Sequence, residues 1–203
     1  MLFLDLVFAT HDALDAAGID HAFGGALALM HHVQEPRTTW DIDVNISVGL
    51  EDAERVLQSF SGIAEFNETQ LARLATDGQV RIFSGRYPID IFLAVDAFHE
   101  DVRQSVVLRP FGNRVLPYIS ATHLAVMKAY FDRPKDWVDI LEMMKMGTVD
   151  IPKALGWLTI MTNEKDERPA RLRAFSLANA FYESPEHQKA KMSKMLMDFQ
   201  QQK

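Results

Sequence analysis

The stretch FGGALALMHHVQEPRTTWDIDVNI, Phe23 to Ile46, opens on paired glycines and closes on Asp41 and Asp43, one residue apart in an apolar run. From residue 40 to 48 the chain alternates. Trp40, Ile42, Val44, Ile46 and Val48 fall on one face of a strand, and Asp41, Asp43, Asn45 and Ser47 on the other. Ionised carboxylates are costly to bury unless something pairs with them. The acidic face is therefore either solvated or built to receive a cation.

Because residues i and i+2 of a strand share a face, Asp41 and Asp43 present their carboxylates side by side. Hard oxygen donors of this kind suit Mg²⁺, with Mn²⁺ as its substitute. Mg²⁺ keeps several waters and binds through one or two carboxylates plus substrate phosphates. A third acid on a neighbouring strand would complete a two-metal site. Asp90 in YPIDIFLAV, flanked by Ile89, Ile91 and Phe92, is the candidate. Ahead of the acids, Gly24 and Gly25 form a turn between the short strand HAF and the helical segment ALALMHHV. A glycine turn lets a ligand approach the backbone, and a helix start offers N–H groups suited to phosphate.

These elements in this order resemble the nucleotidyltransferase superfamily of the DNA polymerase β type. The stretch GGALALMHHVQEPRTTWDIDV is similar to the minimal bacterial nucleotidyltransferases that include the AbiEii-type toxins. Downstream, ISATHLAVMKAYFDRPKDWVDIL is similar to their helical motif, with Lys128, Arg133, Lys135, Asp136 and Asp139 at the matching positions. The resemblance spans about residues 20 to 145. It implies transfer of a nucleoside monophosphate from an NTP such as ATP to an acceptor hydroxyl, releasing pyrophosphate. By matching position, Asp41, Asp43 and Asp90 would ligate metal, and Asp90 would also help deprotonate the acceptor. Gly24 and Gly25 would hold the triphosphate, with Lys128 and Arg37 as phosphate contacts. Many members carry Gly-Ser where this chain has Gly-Gly, so a serine contact to phosphate is missing here.

The bulk numbers agree with such an enzyme. The 203 residues are 48% hydrophobic and 24% charged, the balance of a globular protein. A formal net charge of -7 excludes an extended basic footprint for DNA, although a tRNA end reached through a local patch stays open. With no cysteines there are no disulfides or thiolate metal sites. The start MLFLDLVFATHDALD lacks a basic n-region, and Asp5 interrupts its apolar stretch, so it reads as a helix placing Leu2, Leu6, Phe8 and Leu14 on the core. No segment is long and apolar enough for a bilayer, and the protein is expected in the cytoplasm.

The layout predicts an α+β fold: a nucleotidyltransferase-like mixed β-sheet flanked by helices, followed by a C-terminal helical region. The expected division is a catalytic domain at 1–117 and a helical domain at 118–203. LEDAERVLQSF reads as an amphipathic helix, and residues 62 to 96 as β-rich, with QVRIFSG and YPIDIFLAV adjacent across a glycine turn. His31 and His32 diverge by about 100° on a helix, which favours packing over a shared ion. Arg133, Lys135, Asp136 and Asp139 suit a helix-start charge cluster around Pro134. Met143, Met144, Met146, Met192, Met195 and Met197 read as packing or a partner-facing surface, and Lys189, Lys191 and Lys194 as a solvated face. Two other readings stand beside the enzyme. One is a non-catalytic module of the same fold, such as half of a toxin–antitoxin pair with its cognate antitoxin. The other is a glycosyltransferase, which also uses D-x-D but does not need the glycine turn before it.

Overall fold

A computed structural model describes residues 2–184 and 186–190. The chain divides after Leu124 into two compact units. The N-terminal unit is built on a six-stranded mixed sheet of β1 (His21–Phe23), β2 (Ile42–Ile46), β3 (Gln79–Ser84), β4 (Tyr87–Leu93), β5 (Val107–Phe111) and β6 (Arg114–Tyr118), in the order β3-β4-β2-β1-β6-β5. The β3–β4 and β5–β6 pairs are antiparallel hairpins, β1 runs antiparallel to β2, and β2–β4 and β1–β6 are parallel.

The alternation read in the sequence decides which side of the sheet is core. Ile42, Val44, Ile46, Val80, Ile82, Ile89, Ile91 and Leu93 are buried on one face. At about 25 cal/mol per Å² of apolar surface, this row gives the sheet its main reason to fold. The helices α1 (Phe3–Ala16), α2 (Gly25–Leu29), α3 (Ala53–Ser59), α4 (Glu68–Asp77) and α5 (Ala97–Gln104) flank the sheet, with a 3₁₀ turn at Leu50–Asp52. Helix α1 buries Leu6, Val7, Thr10 and Leu14 and stops before Gly18, whose φ of 62° suits only glycine well. Leu2, placed on the core by its spacing, lies ahead of the first turn and is exposed.

Three parts of this unit depart from the sequence reading. The region taken as β-rich from residue 62 contains α4. Asn67 caps that helix by accepting from the Thr69 and Gln70 amides, while the Gln70 side chain accepts from the Asn67 amide, and Gly78 ends it. Helix α2 ends at Leu29 and does not continue through His31 and His32. There the chain turns inward, and His32 Nε2 meets the Ile119 carbonyl oxygen at 3.0 Å. The β5–β6 hairpin, with α5 before it, adds an edge that the alternation did not announce.

Helix α6 (Ala121–Phe131) carries the chain from the first unit into the second, so the division between the two units falls inside a helix. The second unit continues with α7 (Pro134–Lys145), α8 (Ile151–Met161) and α9 (Arg168–Tyr182). The segments RPKDWVDILEMMKMG and IPKALGWLTIM are helical as expected. Pro134 occupies the first turn of α7, where its missing N–H costs nothing. Met143 and Met144 are buried and Met146 exposed. Lys191, Lys194, Met192, Met195 and Met197 lie outside the described residues. Among those described, no helix is long and apolar enough to cross a membrane.

Candidate active site

Register places the acids. In the parallel β2–β4 pair Asp43 lies opposite Asp90, and in the β3–β4 hairpin Asp90 lies opposite Arg81. On the other side of β2, the Gly24 amide donates to the Asp43 carbonyl oxygen at 2.8 Å. Gly24, just past the end of β1, therefore lies in one row with Asp43, Asp90 and Arg81 of β2, β4 and β3, on the face opposite the core. Asp41, just ahead of β2, accepts a hydrogen bond from the Thr39 hydroxyl on its carboxylate. Asp41, Asp43 and Asp90 are all half-buried.

The glycines lie against this row. A Cβ on Gly25 would stand 1.8 Å from Asp43 Oδ2 and 2.4 Å from its Cγ, and Gly25 has a φ of 51°. A Cβ on Gly24 would stand 2.7 Å from Asn45 Nδ2. A side chain at either position would have to push aside Asn45 or the Asp43 carboxylate, so the turn brings bare backbone against the Asp43 carboxylate. Helix α2 has only five residues, so its offering to a phosphate is its first-turn N–H groups more than a sizeable dipole.

Two further residues enter the site. Asn45, next on the same face of β2, is 5% exposed, and among the described residues neither its Oδ1 nor its Nδ2 finds a hydrogen-bond partner. A buried amide left without partners costs stability unless a ligand or water supplies them. Its place in the D-x-D-x-N alternation was visible; its burial was not. Arg81 grips Asp90 with both arms of its guanidinium, Nε to Oδ1 at 2.7 Å and Nη2 to Oδ2 at 2.6 Å. That hydrogen-bonded grip raises the Arg81 pKa, with smaller contributions in the same direction from the charges of Asp41 and Asp43. All three carboxylates thus act on one cation. An open cleft of about 330 Å³ lies beside the pair, lined in part by Arg73, Gln79, Arg81, Asp90 and Phe92.

The residues fit a divalent ion completed by substrate better than a closed protein cage. Asp41 and Asp43 offer the hard oxygens, and the Asn45 amide lacks partners among the described residues. Among the described residues, no three acidic or histidine side chains form a group able to hold a metal ion by themselves. Asp90 is next to Asp43 in register, but both its oxygens are on Arg81.

The other candidates lie elsewhere. Arg37 is exposed in the loop before β2. Lys128 belongs to the C-terminal unit and is 4% exposed, its ammonium 2.7 Å from Asp139 and 3.6 Å from Asp136. Asp136 also takes both arms of Arg133 and closes the α7 cap. The helix-start cluster proposed for Asp139 is thus a buried ion pair one turn further on. His31 packs its ring on Tyr118, with centroids 4.4 Å apart. Ser120, His123 and Asp101 form a chain of contacts at 2.7 and 3.0 Å, which invites a nucleophile reading. The His123 ring is 1% exposed, and its Nδ1, not Nε2, faces the serine. Ser120 accepts from the His123 amide, so the trio caps the start of α6.

No protein-family model matches the chain, and no curated protein matches its sequence. Solved structures do match. The solution structure of the antibiotic-resistance factor ANT(2″)-Ia is 17% identical, with 93% of this chain and 97% of that one covered at a TM-score of 0.50. The crystal structure of ANT(2″)-Ia in complex with adenylyl-2″-tobramycin is 12% identical, with 89% and 98% covered at a TM-score of 0.51. What these likenesses share with the mixed sheet and trailing helices described above is architecture, and the chain has the nucleotidyltransferase-like fold.

Proposed function

We propose that the protein is a divalent-metal-dependent nucleotidyltransferase, which moves a nucleoside monophosphate from an NTP to an acceptor hydroxyl. The row Gly24–Asp43–Asp90, made by register alone, is the observation that carries this reading. It sets a side-chain-free turn against a carboxylate pair on the open face of a sheet of this fold. The acceptor oxygen bonds to the α-phosphorus, the bond to the bridging oxygen of the β-phosphate breaks, and pyrophosphate leaves. Gly24 and Gly25 let the triphosphate approach the backbone, and Asn45 offers its amide to it. Asp41 and Asp43 hold Mg²⁺ or Mn²⁺, which when bound supplies charge neutralisation at the phosphates. Asp90 would take the acceptor proton once Arg81 releases one of its oxygens. We assign Lys128 to the packing of the C-terminal unit, since moving it to a phosphate would leave Asp139 buried without its ammonium.

The Arg81 grip on Asp90 favours a second reading, a non-catalytic module of this fold that works through a partner such as an antitoxin. One experiment separates the two. Purified protein, Mg²⁺ and each α-labelled NTP are incubated with a lysate, with tRNA and with tobramycin, and small-molecule, protein and RNA fractions are counted. Label in one fraction, lost in the Asp41→Asn/Asp43→Asn double variant, is the expected result. Label that persists in that variant refutes the assignment of the acids. No labelling and no Mg²⁺-dependent NTP binding leaves the module.

A further inference from the structure

Both oxygens of Asp90 are already paired, and the cation that pairs them is part of the chain. Arg81 and Asp90 are direct cross-strand neighbours, so the guanidinium is delivered to the carboxylate by the β3–β4 register. The contact is bidentate at 2.7 and 2.6 Å, the strongest geometry that an arginine and a carboxylate form. The Asp90 side chain is 16% exposed, whereas that of Arg81 is 53% exposed. The carboxylate is therefore largely shielded within the sheet, whereas the guanidinium that holds it faces solvent.

We propose that Arg81 is a resident counter-ion of the third carboxylate, so that the protein alone takes up one divalent ion, at Asp41 and Asp43, and keeps a second away from Asp90. The inference rests on the nucleotidyltransferase reading and refines it: of the two cations that such a site uses, one is supplied by strand β3. A divalent ion reaching Asp90 must first displace the guanidinium, whose stem is anchored next to it and which re-forms its contact at high local concentration. A compact ammonium at the same position would hold less well, because it lacks the planar fork. The geometry also gives Arg81 somewhere to go, since the cleft beside the pair is open and Gln79 and Phe92 on the same face leave it room.

The test is a Mn²⁺ titration of the full chain, without nucleotide, reading free Mn²⁺ by its paramagnetic resonance signal. Wild type, Arg81→Gln, Arg81→Lys and the Asp41→Asn/Asp43→Asn variant are compared, each with a thermal melt to show that it is folded. Wild type should bind one equivalent, lost in the double aspartate variant. Arg81→Gln should gain a second equivalent or bind about tenfold tighter, the scale on which an adjacent opposite charge moves a carboxylate's proton affinity. Arg81→Lys should fall between the two. Two equivalents in wild type, or identical curves for wild type and Arg81→Gln, overturn the proposal and leave the enzyme reading standing. No Mn²⁺ uptake by any of the proteins overturns the proposal that the protein alone takes up one ion, and the metal assignment then rests on the Mg²⁺-dependent NTP binding described above.

Discussion

Replacing Gly25 by alanine should cost the protein its site before it costs the protein its fold. At a φ of 51° an alanine pays about 1–2 kcal/mol for the left-handed conformation. Its Cβ would also stand 1.8 Å from Asp43 Oδ2 and 3.0 Å from Asp43 Cβ. The strand holds the Asp43 Cβ, so the carboxylate has to rotate out of its well, at about 0.5–1.5 kcal/mol. The stiffer unfolded chain returns about 0.4–1 kcal/mol, leaving a net loss of about 2 kcal/mol. Gly85 is the control: its φ is 56°, but nothing lies within 4 Å of its added Cβ. Gly85→Ala should lose only about 1 kcal/mol, the backbone part less the unfolded-state return. Each kcal/mol lowers Tm by about 2–4 °C in a chain of this length. Urea denaturation gives the stabilities, and Mn²⁺ uptake reports the carboxylate. Gly25→Ala should bind Mn²⁺ at least about tenfold more weakly, given that a displaced ligand forfeits a charge-assisted contact of about 1.5–3 kcal/mol. Gly85→Ala should bind as wild type does. If Gly25→Ala keeps its Mn²⁺ affinity, the close approach of turn and acid is not what forms the site.

Other outcomes follow from the same contacts. Asn45→Ala removes a buried amide that makes no hydrogen bond among the described residues, so urea stability should stay within about 1 kcal/mol of wild type while Mg²⁺-dependent NTP binding weakens. Lys128→Met strips a buried ion pair of its cation and should cost about 3–5 kcal/mol in denaturation. The Lys128→Met/Asp139→Asn double variant should recover part of that loss, and full additivity would sink the pairing. Burial lowers the pKa values of His11, His21, His31 and His32, so below the ordinary histidine value of about 6.5 the unfolded chain takes up protons that the folded chain refuses. Stability should therefore fall as pH drops from 7 toward 5, and His21→Gln should flatten that slope in denaturant titrations.

The placement of the candidate residues was more legible in the sequence than that of their surroundings. Asp41 and Asp43 were legible because a period of two separates faces whatever the strand pairs with, and the glycines because a turn before a helix needs few contacts to be recognised. Asp90 was picked from an apolar strand, but its register with Asp43 and with Arg81 is set by pairing partners that no local pattern encodes. Lys128 read as a phosphate contact, since its partners lie across a turn in α7, at Asp136 and Asp139. Helix α4 was missed although Asn67, Gln70 and Gly78 carry its start and stop signals, because the strand pattern of residues 79 to 93 coloured the whole region. The β5–β6 hairpin has an exposed, mixed face on β5, so its strands show little alternation to read.

The parallel pairing of β2 with β4 also sets a clock. Parallel neighbours cannot be joined by a tight turn, and here residues 47–86, with α3, α4 and β3, lie between Ile46 and Tyr87. Asp41 and Asp43 leave the ribosome long before Asp90, and the loop between them must close before the row exists. During synthesis the chain therefore carries a glycine turn and two acids well before it carries the row of Gly24, Asp43, Asp90 and Arg81, which is incomplete until β4 has docked.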